Sequence, residues 1–278
     1  MGKSNRVTIE IAGKKILKHI RDIAKDGVIK KMLPAKTPSK ILETSAGEGI
    51  LALELQASGH DVTITNFAQT GVDGLHEIKL DLNAADYEIE NAPFDAIISR
   101  EVIEHIESVP HTLRMFHKLL APGGTLILTF PNRLCLRSRF YHFLTGFYRG
   151  MPSPINLELP MGEEHINLIG YPEMDYFLRK TGFNIEEVTS SEIKKSDKAW
   201  LIFKPLIWLA TTFFILLHKK NREGYEKATQ AQRKANAFVR DVLLSTPVLC
   251  GKDIIIKATR EIKKGAPERM RLFLFNYD

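Results

Sequence analysis

Cysteine is scarce: two in 278 residues, Cys135 and Cys250. Two isolated thiols form no disulfide framework, and they lack the paired spacing of a structural zinc site. They read as buried thiols in a reducing, cytoplasmic compartment. Residues 1–6 carry no apolar stretch, so no secretory leader is expected, and Arg6 stands where a myristoylation signal needs Ser or Thr. Glycine (18) and proline (13) are too few for collagen or low-complexity disorder. There is no internal repeat. No uninterrupted apolar run reaches the roughly 20 residues of a bilayer span.

What is present is a globular balance, 44% hydrophobic and 26% charged, on a chain long enough for one large domain or two modest ones. One excess stands out, a net charge of +6. A basic surplus suggests a polyanionic partner: nucleic acid, a membrane surface or an acidic substrate. The surplus is local. Residues 190–278 hold 18 Lys+Arg against 9 Asp+Glu, whereas residues 1–189 hold 21 against 24.

Apolar spacing of three and four over residues 14–33 (Ile16, Leu17, Ile20, Ile23, Val28, Ile29) predicts a helix ended by Pro34, making 1–37 an N-terminal helical segment. Strand signals follow at 40–43, 61–65, 78–82, 94–99, 125–130, 183–188 and 253–258. Helix signals lie between them at 47–55, 108–120 and 172–181. Repeated β-α units with apolar strands predict an α/β fold, a parallel sheet covered on both faces with right-handed crossovers. That domain takes residues 38–189 and 250–262, and residues 190–249 form a helical insert before the last strand.

The first of these strands runs into Glu43-Thr44-Ser45-Ala46-Gly47-Glu48-Gly49. Small residues at alternate positions let the backbone turn tightly and approach a ligand, and the following helix offers free N–H groups. This segment resembles the first motif of the class I S-adenosylmethionine-dependent methyltransferases. Phe94-Asp95-Ala96-Ile97-Ile98, the Pro122-Gly123-Gly124 step and Gly182-Phe183 are similar to later pieces of that family, in order. The resemblance implies a Rossmann-like, seven-stranded methyltransferase sheet. It implies that Glu43, Gly47 and Gly49 hold the methionine part of S-adenosylmethionine, that Asp81 and Leu82 lie at the adenine, and that Arg100 meets the cofactor through its backbone. Two positions depart from the pattern. Ser45 replaces the usual first glycine. Asn66 replaces the acid that accepts the ribose hydroxyls, and an amide has one acceptor oxygen and no charge.

The sequence Glu101-Val102-Ile103-Glu104-His105-Ile106 carries a second resemblance. It is similar to the subgroup containing ubiquinone-biosynthesis O-methyltransferases and to small-RNA 2′-O-methyltransferases. The resemblance implies a divalent metal, Mg²⁺ or similar, on Glu101, Glu104, His105 and a later histidine, here His165. Carboxylate and imidazole donors suit such an ion, which would lower the pKa of an acceptor hydroxyl. The alternative uses His105, with Glu101 and His165, as general base or substrate contacts, or Glu104 and His105 as orienting residues for the next helix.

Residues 132–168 are expected to cover the substrate. They mix Arg133, Arg137 and Arg139 with aromatic residues, and Phe140, Phe143 and Phe147 read as the core side of a cover helix. In the insert, residues 206–217 form a 12-residue apolar run between Lys204-Pro205 and His218-Lys219-Lys220. This length is too short to span a bilayer but suits its interface, giving a peripheral membrane contact over 199–222. A buried helix or a homodimer contact is the alternative. The combined reading is a methyltransferase acting on a hydroxyl of a quinone precursor, a lipid-linked sugar or another hydrophobic acceptor at the inner face of a membrane. An RNA ribose 2′-O-methyltransferase and a membrane-associated scaffold with weak cofactor binding are the other readings. Nucleic acid is the less favoured partner, because no RNA-binding motif is visible.

Overall fold

The computed structural model describes residues 5–148, 157–158, 164–217 and 230–262. A hairpin comes first, β1 (Arg6–Ile11) against β2 (Lys14–His19), followed by α1 (Ile20–Met32). The expected helix over 14–33 is therefore corrected: its first six residues are a strand. Ala12 and Gly13 both take positive φ, 47° and 80°, as a tight two-residue hairpin turn requires. Ile16 faces Ile9 across the hairpin. Its apolar residues happened to continue the three-and-four spacing of α1, so two elements read as one.

The main sheet uses β3 (Lys40–Thr44), β4 (Asp61–Asn66), β5 (His76–Lys79), β6 (Phe94–Arg100), β7 (Leu120–Pro131), β8 (Phe183–Thr189) and β9 (Asp253–Arg260). Their order is β5-β4-β3-β6-β7-β9-β8. Pairing is parallel from β5 to β7, but β9 runs antiparallel to both neighbours, so the all-parallel expectation fails at that edge. The strand expected at 78–82 lies earlier. Its apolar Leu82 is buried in the core after the strand has ended.

Successive strand residues face opposite sides, and each side has its own core. Leu42, Ile97, Leu126 and Ile254 pack under α3 (Val109–Leu119), α5 (Tyr171–Lys180) and α8 (Gln230–Leu243). Ile41, Ile98, Ile127 and Ile255 pack under α1 and α2 (Ile50–Ala57). This Rossmann-like three-layer arrangement puts the carboxyl ends of β3 and β6 side by side, where strand order reverses and ligands bind in such sheets.

The remaining helices are α4 (Leu136–Thr145), α6 (Lys195–Lys198), α7 (Lys204–Leu217) and α9 (Thr246–Cys250), with a 3-10 turn at Ala199–Phe203 joining α6 to α7. The aromatic residues of α4 are not core. Phe143 is 82% exposed, and Phe140 and, just past the end of the helix, Phe147 are half exposed. Only Leu136 and Ser138 of that helix are buried.

Candidate active site

The turn after β3 holds three residues in the left-handed region within five positions, Ser45 (φ 50°), Gly47 (58°) and Gly49 (64°). Gly49 is required sterically as well. A Cβ there would lie 3.0 Å from Leu75 Cδ1 and 3.2 Å from Val72 Cγ1, whereas one at Gly47 would meet open space. Asn66, at the end of β4, is buried and clamps this turn. Its Oδ1 accepts the Gly47 N–H at 2.8 Å, and its Nδ2 donates to the Gly47 carbonyl at 3.2 Å and to Glu77 Oε1 at 2.7 Å. An amide can both accept from and donate to one peptide group, which an ionised carboxylate at this position could not do. Glu77 also accepts the N–H groups of Thr70 and Gly71, and the Asn66 hydrogen bond, followed by these, holds its carboxyl down to about 2. The amide at position 66 therefore builds the turn.

Glu43 precedes the turn and is completely buried. Neither of its oxygens receives a well-formed hydrogen bond, and Arg100 Nε stands 3.7 Å away. Burial pushes its pKa up to about 7, against the pull of Arg100. The Arg100 guanidinium is turned toward α1, donating to Asp26 Oδ1 at 2.9 Å, and Asp26 also meets Lys18 at 2.7 Å. Further out, Asp81 is exposed and accepts the Asn83 N–H at 2.9 Å, while Leu82 lines a cavity of about 300 Å³ with Asn83, Ser108 and His111.

The Glu-x-x-Glu-His segment follows β6. Glu101 itself has a left-handed backbone (φ 54°). Its N–H donates to the Thr129 carbonyl at 3.0 Å, its carboxylate accepts from the Thr129 hydroxyl at 2.8 Å, and Lys25 of α1 lies 2.8 Å from it. A 3-10 turn, Ile103–His105, then presents Glu104 and His105. The later histidine arrives because residues 164–167 are stitched to this turn. Asn167 N–H donates to the Glu104 carbonyl at 2.9 Å, and the Asn167 side-chain amide donates to the Ile106 carbonyl. His105 Nδ1–H donates to the Glu164 carbonyl at 3.1 Å, which leaves Nε2 as its open acceptor.

His105 and His165 meet edge to face, with ring centroids 4.7 Å apart. Among the described residues, Glu104, His105 and His165 each offer a ligand atom within 4.8 Å of the others. The structure thus gathers three of the four expected donors, while Glu101 is engaged by Lys25 and Thr129. The Glu104 carboxylate is buried with no hydrogen-bond partner outside its own residue. Burial and the neighbouring Glu101 charge raise its pKa far above the carboxylate range. Burial, and then His105, lower that of His165. The sequence reading missed Lys25, Asp26, Thr129 and Asn167. No local pattern announces them, because each belongs to an element whose approach is set by the fold.

A family model described as a methyltransferase domain matches residues 16–188. A Mycobacterium tuberculosis protein named as an uncharacterized methyltransferase is 30% identical over 143 residues, covering 47% of this chain and 69% of that relative. A Rickettsia canadensis ubiquinone biosynthesis O-methyltransferase is 28% identical over 138 residues, covering 47% of this chain and 53% of its own length. Among solved structures, a SAM-dependent methyltransferase from Archaeoglobus fulgidus superposes with a TM-score of 0.50 at 13% identity, over 86% of this chain and 94% of that one. The glycine turn at the strand-order reversal, the seven-stranded sheet and a match spanning more than half its length agree: the chain belongs to the methyltransferase domain family.

Proposed function

We propose that the chain transfers a methyl group from S-adenosylmethionine to a hydroxyl of a hydrophobic acceptor, of the quinone-precursor or lipid-linked sugar kind. One observation carries the oxygen preference: His105 and His165 form a pair at the end of β6, the strand next to the glycine turn. The residues present fit the cofactor. Gly47 faces open space, and the Glu43 carboxylate, whose oxygens have no hydrogen-bond partner, suits a cationic methionine end. His105 Nε2 is the atom available to take the hydroxyl proton as the oxygen attacks the methyl carbon. The lowered pKa of His165 keeps that ring neutral beside it. Alignment of nucleophile, carbon and sulfur supplies most of the rate, and a positioned base contributes about 10²–10⁴-fold. The likeness to ubiquinone biosynthesis O-methyltransferases supports the acceptor class.

The same donor set fits a divalent cation, favoured by the buried and unpartnered Glu104 oxygens. Glu104, His105 and His165 would hold it, and it would supply acidification of the acceptor hydroxyl. The test is methyl transfer from labelled S-adenosylmethionine to a prenylated catechol. His105→Ala is expected to lower transfer at least 100-fold with cofactor affinity retained. Full transfer by that variant would remove the base. Calorimetry showing no cofactor binding to the wild type would sink the whole reading. A rise in thermal stability with Mn²⁺ that is absent in Glu104→Gln would identify the cation site, and full activity in chelator would exclude it from the reaction.

A further inference from the structure

We propose that α4 and the helical run Lys195–Leu217 together form one docking surface for an anionic lipid bilayer, on which the protein rests without crossing. The run is 23 residues long, apolar enough by length and composition to span a membrane, and none of it is buried. Ile202, Leu206, Leu209 and Phe213 recur at steps of four and three along one face, each at least 60% exposed, and Phe214 beside them is exposed to the same degree. On α4, Phe143 and Leu144 are exposed to the same degree. The two helices belong together. Phe140 of α4 and Trp200 have ring centroids 5.5 Å apart, and Leu136, Trp200, Leu201 and Ile207 share a small core with α9. Large apolar side chains exposed on two helices that pack against each other exceed what scattered surface residues would give, and a monomer does not leave them in water without use.

Charge selects the occupant. Lys194, Lys195, Lys198 and Lys204 are exposed at the base of the run, with Asp197 the one acid among them. A second copy would bring the same positive sign against them, whereas anionic headgroups bring the opposite one. Both tryptophans of the chain, Trp200 and Trp208, lie on this run, and tryptophan favours the headgroup level.

Topology decides between lying and crossing. The chain leaves the sheet at Thr189 and returns at Ile255, its partner in the antiparallel β8–β9 pair. Both ends of the insert are therefore on one side of any membrane, so crossings must be even in number. Residues 218–252 hold no second apolar stretch of spanning length, and α8 carries Arg233, Lys234, Arg240 and Asp241. A single span would strand β9 on the far side. The helix must lie in the interface.

The surface also bears on the acceptor, and this step rests on the methyl-transfer reading. α4 begins five residues after β7 ends at Pro131, on the strand-end side that holds the Glu104–His105–His165 group. The side chain of Asn132 fixes the insert there, donating to the carbonyls of Val248 and Gly251 at 2.9 Å. A docked protein therefore meets an acceptor whose apolar part stays in the lipid.

Flotation of the full chain with sealed phosphatidylcholine vesicles, with and without 30% phosphatidylglycerol, tests the docking. Binding at least tenfold stronger to the anionic vesicles is expected, with loss in a Phe143→Glu, Phe213→Glu double variant that keeps its thermal stability and cofactor affinity. Trp208, observed alone in a Trp200→Phe background, should be quenched more by lipids brominated near the headgroup than near the chain ends. Absence of wild-type binding, unchanged binding by the double variant, or a stable dimer that excludes vesicles would overturn the proposal. Deep quenching of Trp208, which sits near the middle of the run, would overturn the in-plane arrangement. Transfer to a water-soluble catechol, measured separately, shows whether a failure belongs to docking or to the methyl-transfer reading.

Discussion

Glu43 shows how a single residue couples cofactor, fold and pH. Its carboxyl is raised from the ordinary 4.5 to about 7 because burial penalises the charge more than Arg100 repays it. The native state therefore holds a proton that the unfolded chain gives up. The stability this contributes is complete below the unfolded pKa and is lost as pH rises through 7. A cationic cofactor reverses the preference, since it favours the ionised carboxylate. Binding should then release a proton between about pH 5 and 7, and affinity should rise with pH across that window and level off above it. Calorimetry at pH 6, in two buffers of different ionisation enthalpy, is expected to show release of close to one proton. Glu43→Gln should abolish both the release and the pH dependence, and should gain stability relative to the wild type at pH 8 compared with pH 5. Release that persists in the variant would assign the proton to another group. Glu43 and the glycines stood out in the sequence because a tight turn restricts residue type. The clamp that Asn66 forms was not legible, because it depends on Glu77 and Thr70, which the β4–β5 pairing brings near.

Among the elements, strands and helices with one clear period were legible, and those whose periods overlap were not. β3, β4, β6, β8 and β9 sit within a few residues of their predicted places, since apolar strands bounded by turns have few alternatives. The β1–β2 hairpin was hidden because its apolar residues extend the helical spacing of α1. The Phe residues of α4 were assigned to the core because spacing reports which residues share a face and not what covers that face. The insert makes the same distinction testable. Its later half is structural: Val248 and Leu249 are buried, and Val239, Val242 and Leu243 pack on the main core. Its first half, α7, has no buried residue. Leu249→Ala is therefore expected to cost about 2–5 kcal/mol in urea unfolding, by lost burial and cavity formation. Leu209→Ser should stay within about 0.5 kcal/mol, as surface substitutions do. An equal cost at both positions would show that α7 is covered in solution and would contradict the open face seen here.

For the whole molecule, the decisive feature is where charge sits. Residues 1–189 carry a net −3 and residues 190–278 a net +9, so the catalytic layers are slightly acidic and the insert side is basic. Salt acts on these two parts differently. The ion pairs around the site are short and shielded from solvent, Lys18–Asp26 at 2.7 Å and Arg100–Asp26 at 2.9 Å, and such pairs are screened little. The exposed lysines below α7 act through solvent over a distance set by the Debye length, which falls from about 10 Å at 0.1 M salt to about 3 Å at 1 M. Raising NaCl from 0.1 to 0.5 M should therefore lower methyl transfer to a vesicle-held acceptor at least fivefold. Transfer to a water-soluble catechol should change by less than about twofold, because the ion pairs that hold the site together are shielded from salt. The comparison separates the two roles within one protein preparation. Parallel loss of both rates would place the salt-sensitive step in the site itself. A vesicle rate indifferent to salt would mean that the apolar face, without its lysines, is sufficient to hold the protein at the membrane.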